Sequence, residues 1–184
     1  MKRISVVGSS GSGKTEVARR LAKALDAPYV ELDALFWGPG WTPATGAELS
    51  EKINAATVGD TWVVDGNYWS KVGPQVWTKA DTVVWVSPQR WLAIWQSLTR
   101  TVRRAATGQE LWNGNRESWG SLMFWRGEKS ILWWAWTTHR RTQERYAAAM
   151  SDPKWNHLTF HRLRARREIE LFFANLGPLD HDDG

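Results

Sequence analysis

The chain has 184 residues, 42% of them hydrophobic, with a formal net charge of +5 and no cysteine. That length predicts a single domain, spanning 1–184, with one well-buried core. The missing cysteines exclude a disulfide framework and a thiolate metal site and fit a reducing, cytoplasmic setting, and charges break every apolar stretch before the ~18 residues that a membrane span requires.

The N-terminus meets Gly8 after too few apolar residues for a signal-peptide core. Ile4 to Val7 is a short β-branched run, and Glu16 to Leu25 repeats apolar residues at Val17, Ala18, Leu21 and Leu25. The order is strand, glycine loop, helix. Between them, Gly8-Ser9-Ser10-Gly11-Ser12-Gly13-Lys14-Thr15 matches G-x-x-x-x-G-K-[ST] at every fixed position. Glycines let successive amides point inward at a helix N-terminus, where unpaired N–H groups and the macrodipole already favour an anion. Gly8, Gly11, Ser12, Gly13, Lys14 and Thr15 are therefore the expected phosphate cradle for ATP. Lys14 would reach the β and γ phosphates, and the Thr15 hydroxyl would ligate Mg2+.

Further strands are expected at Pro28 to Asp33, Trp62 to Gly66, Asp81 to Val86 and Trp155 to Phe160. Apolar runs that alternate with helices predict an α/β, three-layer fold whose five-stranded parallel sheet carries helices on both faces. Ligands then sit beyond the carboxyl ends of the strands. Asp33 and Asp65 close two of these runs; one acid would help hold Mg2+, for which Asp65 is the candidate, and the other would orient or deprotonate an attacking hydroxyl. An aspartate after a strand also serves simply to cap the next turn.

Ser87-Pro88 predicts a helix start and Gly108 its end. Trp91, Trp95, Leu98 and Val102 form one stripe, assigned to the core or an interface, which puts Arg100, Arg103 and Arg104 on the other side. Those arginines are either a solvated face or a clamp on the transferred phosphate, Arg100 and Arg104 being the catalytic candidates. Residues 105–120 read as a lid-like insertion, with Arg116 a further arginine that could reach the phosphates. Trp119 to Tyr146 reads as helix; its tryptophans suit core packing, a homodimer face or base stacking beside Arg140 and Arg141. The arginines of Arg164 to Arg167 enter the last helix and either contact the base and ribose or stay solvated. No histidine receives a role, and 178–184 reads as a frayed acidic tail.

"GSSGSGKT", "VELDALFWGPGW", "WVVDGNY" and "ADTVVWVSPQRW" together resemble the bacterial adenylate-kinase-like P-loop proteins, including the small DNA topology modulation protein-like kinases. The resemblance covers Met1 to about Leu176 and implies a kinase fold with a helical lid and acceptor region. It puts Asp65 where nucleoside monophosphate kinases end their third strand in Asp-Gly, Asp33 at the acceptor, and Arg100, Arg103 and Arg104 at the approach to the lid. Adenylate kinases continue that Asp-Gly with Phe-Pro-Arg; here Asn67-Tyr68-Trp69 follows. The arginine that grips a nucleotide acceptor is missing, and Trp37, Trp41 and Trp69 are candidates for an aromatic pocket instead. The first expectation is a small-molecule or nucleotide kinase. The other is an ATP-dependent nucleic-acid-binding or regulatory protein with a basic, tryptophan-rich surface.

Overall fold

The computed structural model describes residues 1–69, 72–117 and 131–176, the side chains of 131–138 excepted. Five parallel strands, β1 (Arg3–Gly8), β2 (Tyr29–Glu31), β5 (Trp62–Asp65), β6 (Thr82–Val86) and β7 (Thr159–Leu163), form a sheet in the order β2-β5-β1-β6-β7. Every residue of β5 and β6 is buried, as expected of strands covered on both faces. On one face α1 (Lys14–Ala24) and α7 (Arg166–Ala174) pack Val17, Leu21, Ile169 and Phe172 against Ile4, Val6, Val63 and Val84. On the other, α3 (Gly46–Ala56), α4 (Gly73–Lys79) and α6 (Ile131–Met150) bring Leu49, Ile53, Trp77 and Tyr146 to Val64, Val83 and Trp85. The expected three-layer α/β architecture is the observed one. Among the described residues no helix is long and apolar enough to cross a membrane.

Three boundaries differ from expectation. β2 stops at Glu31, and Asp33 sits in the first turn of a short helix, α2 (Leu32–Phe36), rather than at a strand end. The last strand starts at Thr159 because Asp152 and Pro153 open a 3-10 turn over Pro153–Trp155, which turns the Trp155 ring into the core. The helix after β6, α5 (Arg90–Thr107), begins two residues beyond Pro88; the Ser87 hydroxyl donates to Gln143 Oε1 at 2.9 Å instead of capping it. Gly108 does end α5, in the left-handed conformation. Of the expected helix 119–146, residues 119–130 lie outside the described residues, as does the tail.

The facing of α5 is the larger correction. Trp91, Trp95 and Val102 are exposed, at 66%, 59% and 39%, whereas Ala93, Ser97 and Thr101 are buried. Arg100 and Arg104 are half-buried on that inner side, and Arg103 alone of the three is exposed. The physical reason is close approach. α5 lies on the glycine loop, where a Cβ on Gly11 would stand 2.0 Å from the Ala93 carbonyl and 2.7 Å from the Ser97 amide. Only small side chains fit between the two backbones, so small and polar residues face inward and large apolar ones outward.

Candidate active site

The loop from Gly8 to Gly13 joins β1 to α1 and gets its shape from residues that no side chain could replace. Gly11 and Gly13 lie at φ +71° and +86°, in the left-handed region that favours glycine. Gly13 is also the N-cap of α1; its carbonyl takes the Glu16 and Val17 amides, and with no side-chain cap the Lys14 and Thr15 amides stay available to an anion. The hydroxyls of Ser9 and Ser12 are buried without a partner among the described residues. Lys14 and Thr15 follow in the first turn of α1, both half-buried.

Asp65 ends β5 beside Val6 and is 2% exposed. Its Oδ2 accepts a hydrogen bond from the Tyr29 hydroxyl at 3.0 Å, and its Oδ1 has no partner among the described residues. Burial, and then the Asp65 charge, push the Tyr29 phenol well above its ordinary range, which keeps it a donor. Asp33 is held in the same way, accepting from the Tyr68 hydroxyl at 2.5 Å, and burial together with the Asp33 charge raises that phenol as well. The third tyrosine, Tyr146, donates to Asn67 Oδ1. All three tyrosines of the chain thus serve the Asp65–Tyr68 turn or Asp33.

Arg100 ties α5 to the loop by donating from Nη2 to Ser10 Oγ at 3.0 Å. Burial and its neighbour Arg104 depress its basicity, and Glu117, Asp33 and Asp65 oppose that shift. The guanidinium therefore sits in the field of both expected acids. Arg104 pairs with Glu117 at 3.2 Å, and Oε2 of Glu117 is buried without a partner among the described residues. Arg116 does not turn toward the glycine loop: it is exposed and pairs with Glu110 at 3.7 Å.

The wall beside Asp33 is built from distant pieces. Two short strands, β3 (Trp37–Gly38) and β4 (Thr42–Pro43), make a hairpin onto which residues 111–117 fold. Asn115 accepts from the Trp41 amide at 2.8 Å and donates to the Gly38 carbonyl at 2.8 Å, while Asn113 donates to the Trp37 carbonyl. Trp37, Trp41 and Trp112 meet edge to face, with centroids 5.6 and 6.4 Å apart. Trp69 does not join them; it packs against Trp77 at 4.6 Å and Trp155 at 5.9 Å in the core. Behind this wall, burial and the Asp65 charge raise the Glu31 carboxyl, although Trp112 and Arg19 hydrogen-bond and pair with it.

The glycine loop, Asp65, Asp33 and Arg100 are therefore brought together. Tyr29, Tyr68, Glu31, Trp112 and Glu117 complete the site without having been singled out in the sequence; the one signal was that two of three tyrosines flank the acids in "PYVELD" and "DGNY". Arg140 and Arg141 are exposed, Arg140 paired with Glu144 at 2.7 Å, and the side chains of Trp133, Trp134 and Trp136 lie outside the described residues.

This strand order, with a glycine loop after the central strand, is a fold shared with solved P-loop kinases. A deoxyadenosine kinase from M. mycoides with bound dATP matches 96% of this chain and 99% of its own, with TM-score 0.55 and 15% identity. A gluconokinase from Sinorhizobium meliloti 1021 matches 95% and 93%, with TM-score 0.51 and 19% identity. A sugar kinase from Janibacter sp. HTCC2649 matches 97% and 96%, with TM-score 0.52 and 17% identity. In sequence, the HslU ATPase subunit of an ATP-dependent protease from Enterococcus faecalis is 32% identical over 81 residues, 44% of this chain and 17% of that protein. HslU1 of Trypanosoma brucei brucei is 54% identical over 33 residues, 18% of this chain and 7% of that protein. The chain thus spans a small part of the length of these curated relatives. No family model matches it.

Proposed function

We propose that the protein is an ATP-dependent phosphotransferase that moves the γ-phosphoryl group to a hydroxyl of a small acceptor. One observation carries this reading: Arg100 is bonded to the glycine loop at Ser10, Asp65 ends the strand paired with β1, which leads into that loop, and Asp33 is tied to the turn after Asp65 through Tyr68. Donor cradle and acceptor acids thereby share one cleft. The kinase neighbours and the adenylate-kinase-like resemblance support it through the fold.

The residues present fit the reactants. The uncapped first turn of α1, the unpartnered hydroxyls of Ser9 and Ser12, and Lys14 suit the phosphates of ATP. Thr15 and the unpartnered Oδ1 of Asp65, through water, would hold Mg2+, which would supply neutralisation of the phosphate charge. Asp33 faces the acceptor, accepts the proton of the attacking hydroxyl and is kept oriented by Tyr68. As the acceptor oxygen bonds to γ-phosphorus, the bond to the bridging oxygen breaks and ADP leaves, with Lys14 and Arg100 bearing on the charge that shifts. Arg104 is the reserve cation, released from Glu117 when the cleft fills.

The acceptor wall favours an uncharged polyhydroxylated molecule over a nucleoside monophosphate. Where a phosphate-gripping arginine would follow Asp65-Gly66, Asn67 and Tyr68 present amide and phenol, and Trp37 and Trp41 add apolar surface. The test is magnesium-ATP turnover with nucleosides, sugars, sugar acids and nucleoside monophosphates added singly, with product mass as readout. A nucleoside or sugar that gains one phosphate group is the expected result. ADP release that no acceptor accelerates would sink the reading.

A further inference from the structure

A second cavity, of about 350 Å³, opens at the other edge of the sheet. It lies between the start of α5 (Ser87, Arg90), α6 (His139, Gln143) and the end of β7 (Arg162, Arg164), and no glycine-loop residue lines it. Its volume is in the range of sites that take whole small molecules. Its lining carries three arginines and a histidine and no carboxylate among the described residues.

Two of these groups are held in place. Arg162 lies 4.0 Å above the Trp85 ring and donates to Ser87 Oγ at 3.3 Å and Gln143 Oε1 at 3.0 Å, all neutral partners. Burial and Arg164 depress its basicity, and the acid that opposes this, Glu168, is engaged by the Arg164 amide at 2.7 Å. His139 is 7% exposed; its ring hydrogen-bonds the Pro88 carbonyl, and its Nε2 has no partner among the described residues. A buried polar atom without a partner carries a cost that a ligand removes. A guanidinium held by neutral groups, as that of Arg162 is, calls for an anion, and a neutral imidazole nitrogen calls for a donor.

We propose that this cavity binds a small organic anion that also carries an O–H, a phosphate monoester or hydroxycarboxylate, with its charge on Arg162 and Arg164 and its O–H directed to Nε2 of His139. No glycine-loop residue lines the cavity, so its anion would be held away from the phosphate cradle. The cavity touches the turn that launches α5, and α5 carries Arg100 to the glycine loop. An occupant is therefore placed to influence the catalytic arginine.

Titration calorimetry on the full chain tests this, with inorganic phosphate and citrate as probes of the two head groups and sulfate as an anion without O–H. Saturating Mg-ADP fills the glycine loop beforehand. Phosphate or citrate should still bind, and sulfate should bind less tightly. Arg164→Gln, at an exposed position that spares the core, should weaken phosphate binding about tenfold. His139→Phe, the second variant, should weaken phosphate more than it weakens sulfate. If phosphate and citrate binding vanish once Mg-ADP is present, or Arg164→Gln binds phosphate like the wild type, the proposal is overturned. Equal affinity for sulfate and phosphate would overturn the assignment of Nε2.

Discussion

The two walls of the cleft are made by different means. The proposed donor wall is contiguous, with β1, loop and α1 in one stretch from Arg3 to Ala24, and it would bind through backbone that glycines at positive φ expose. The acceptor wall gathers Asp33, Trp37 and Trp41 from one segment, Tyr68 from another and Trp112 to Glu117 from a third. It acts through side chains that orient one another. Backbone chemistry leaves a local pattern in the sequence, whereas a side-chain constellation assembled over some eighty positions does not.

That contrast predicts unequal consequences of mutation. Lys14→Ala should lower kcat about a thousandfold, since it removes a cation from the transferred group, and steady-state kinetics would reveal it. Gly11→Ala should break the donor wall structurally, because a methyl group at φ +71° would collide with the Ala93 carbonyl at 2.0 Å. A loss of about 3 kcal/mol in unfolding free energy, together with lost ATP binding, is expected in denaturant titration and calorimetry. On the other side, Trp69→Ala and Trp41→Ala should separate. Trp69, packed on Trp77, should cost about 3 kcal/mol of stability, whereas Trp41 should leave stability within about 1 kcal/mol and raise the acceptor KM. If Trp41→Ala destabilised as much as Trp69→Ala, the hairpin would be core and not acceptor wall. Tyr68→Phe should raise the acceptor KM or lower kcat about tenfold with Mg-ATP binding unchanged.

Glu31 gives the smallest effect and a pH signature. Its carboxyl is raised by burial and by Asp65, so the folded protein holds that proton more tightly than the unfolded chain does. The favourable contribution is present below the ordinary carboxylate range and is lost as pH rises through the raised value. Glu31→Gln should therefore raise Tm by about 2 °C at neutral pH and make no difference in acid, as thermal melts at both pH values would record.

The sheet and the glycine loop between β1 and α1 were legible because each rests on a short periodic or fixed-spacing signal. β7 was displaced by four residues because Trp155 to Phe160 is apolar enough for a strand, while Asp152 and Pro153 impose a turn on its start. α5 was read inside out. The rule that apolar stripes face inward assumes an apolar neighbour, and the neighbour here is a polar loop that admits only Ala93 and Ser97 at contact. Arg100, a candidate clamp or solvated residue in the sequence, reaches the glycine loop from the face opposite to the expected one. Asp33 kept its place in the cleft although its strand ended two residues earlier, because α2 carries it there and Tyr68 fixes it. Glu117 left no sequence signal, because it matters through a partner 13 residues away.

The most direct test of the central claim, that the two walls meet at one transferred phosphate, is single-turnover phosphoryl transfer by Asp33→Asn at saturating Mg-ATP and acceptor. The account predicts transfer slowed at least about a hundredfold with Mg-ATP affinity within about twofold of the wild type. Transfer at the wild-type rate would contradict it and would place the acceptor elsewhere.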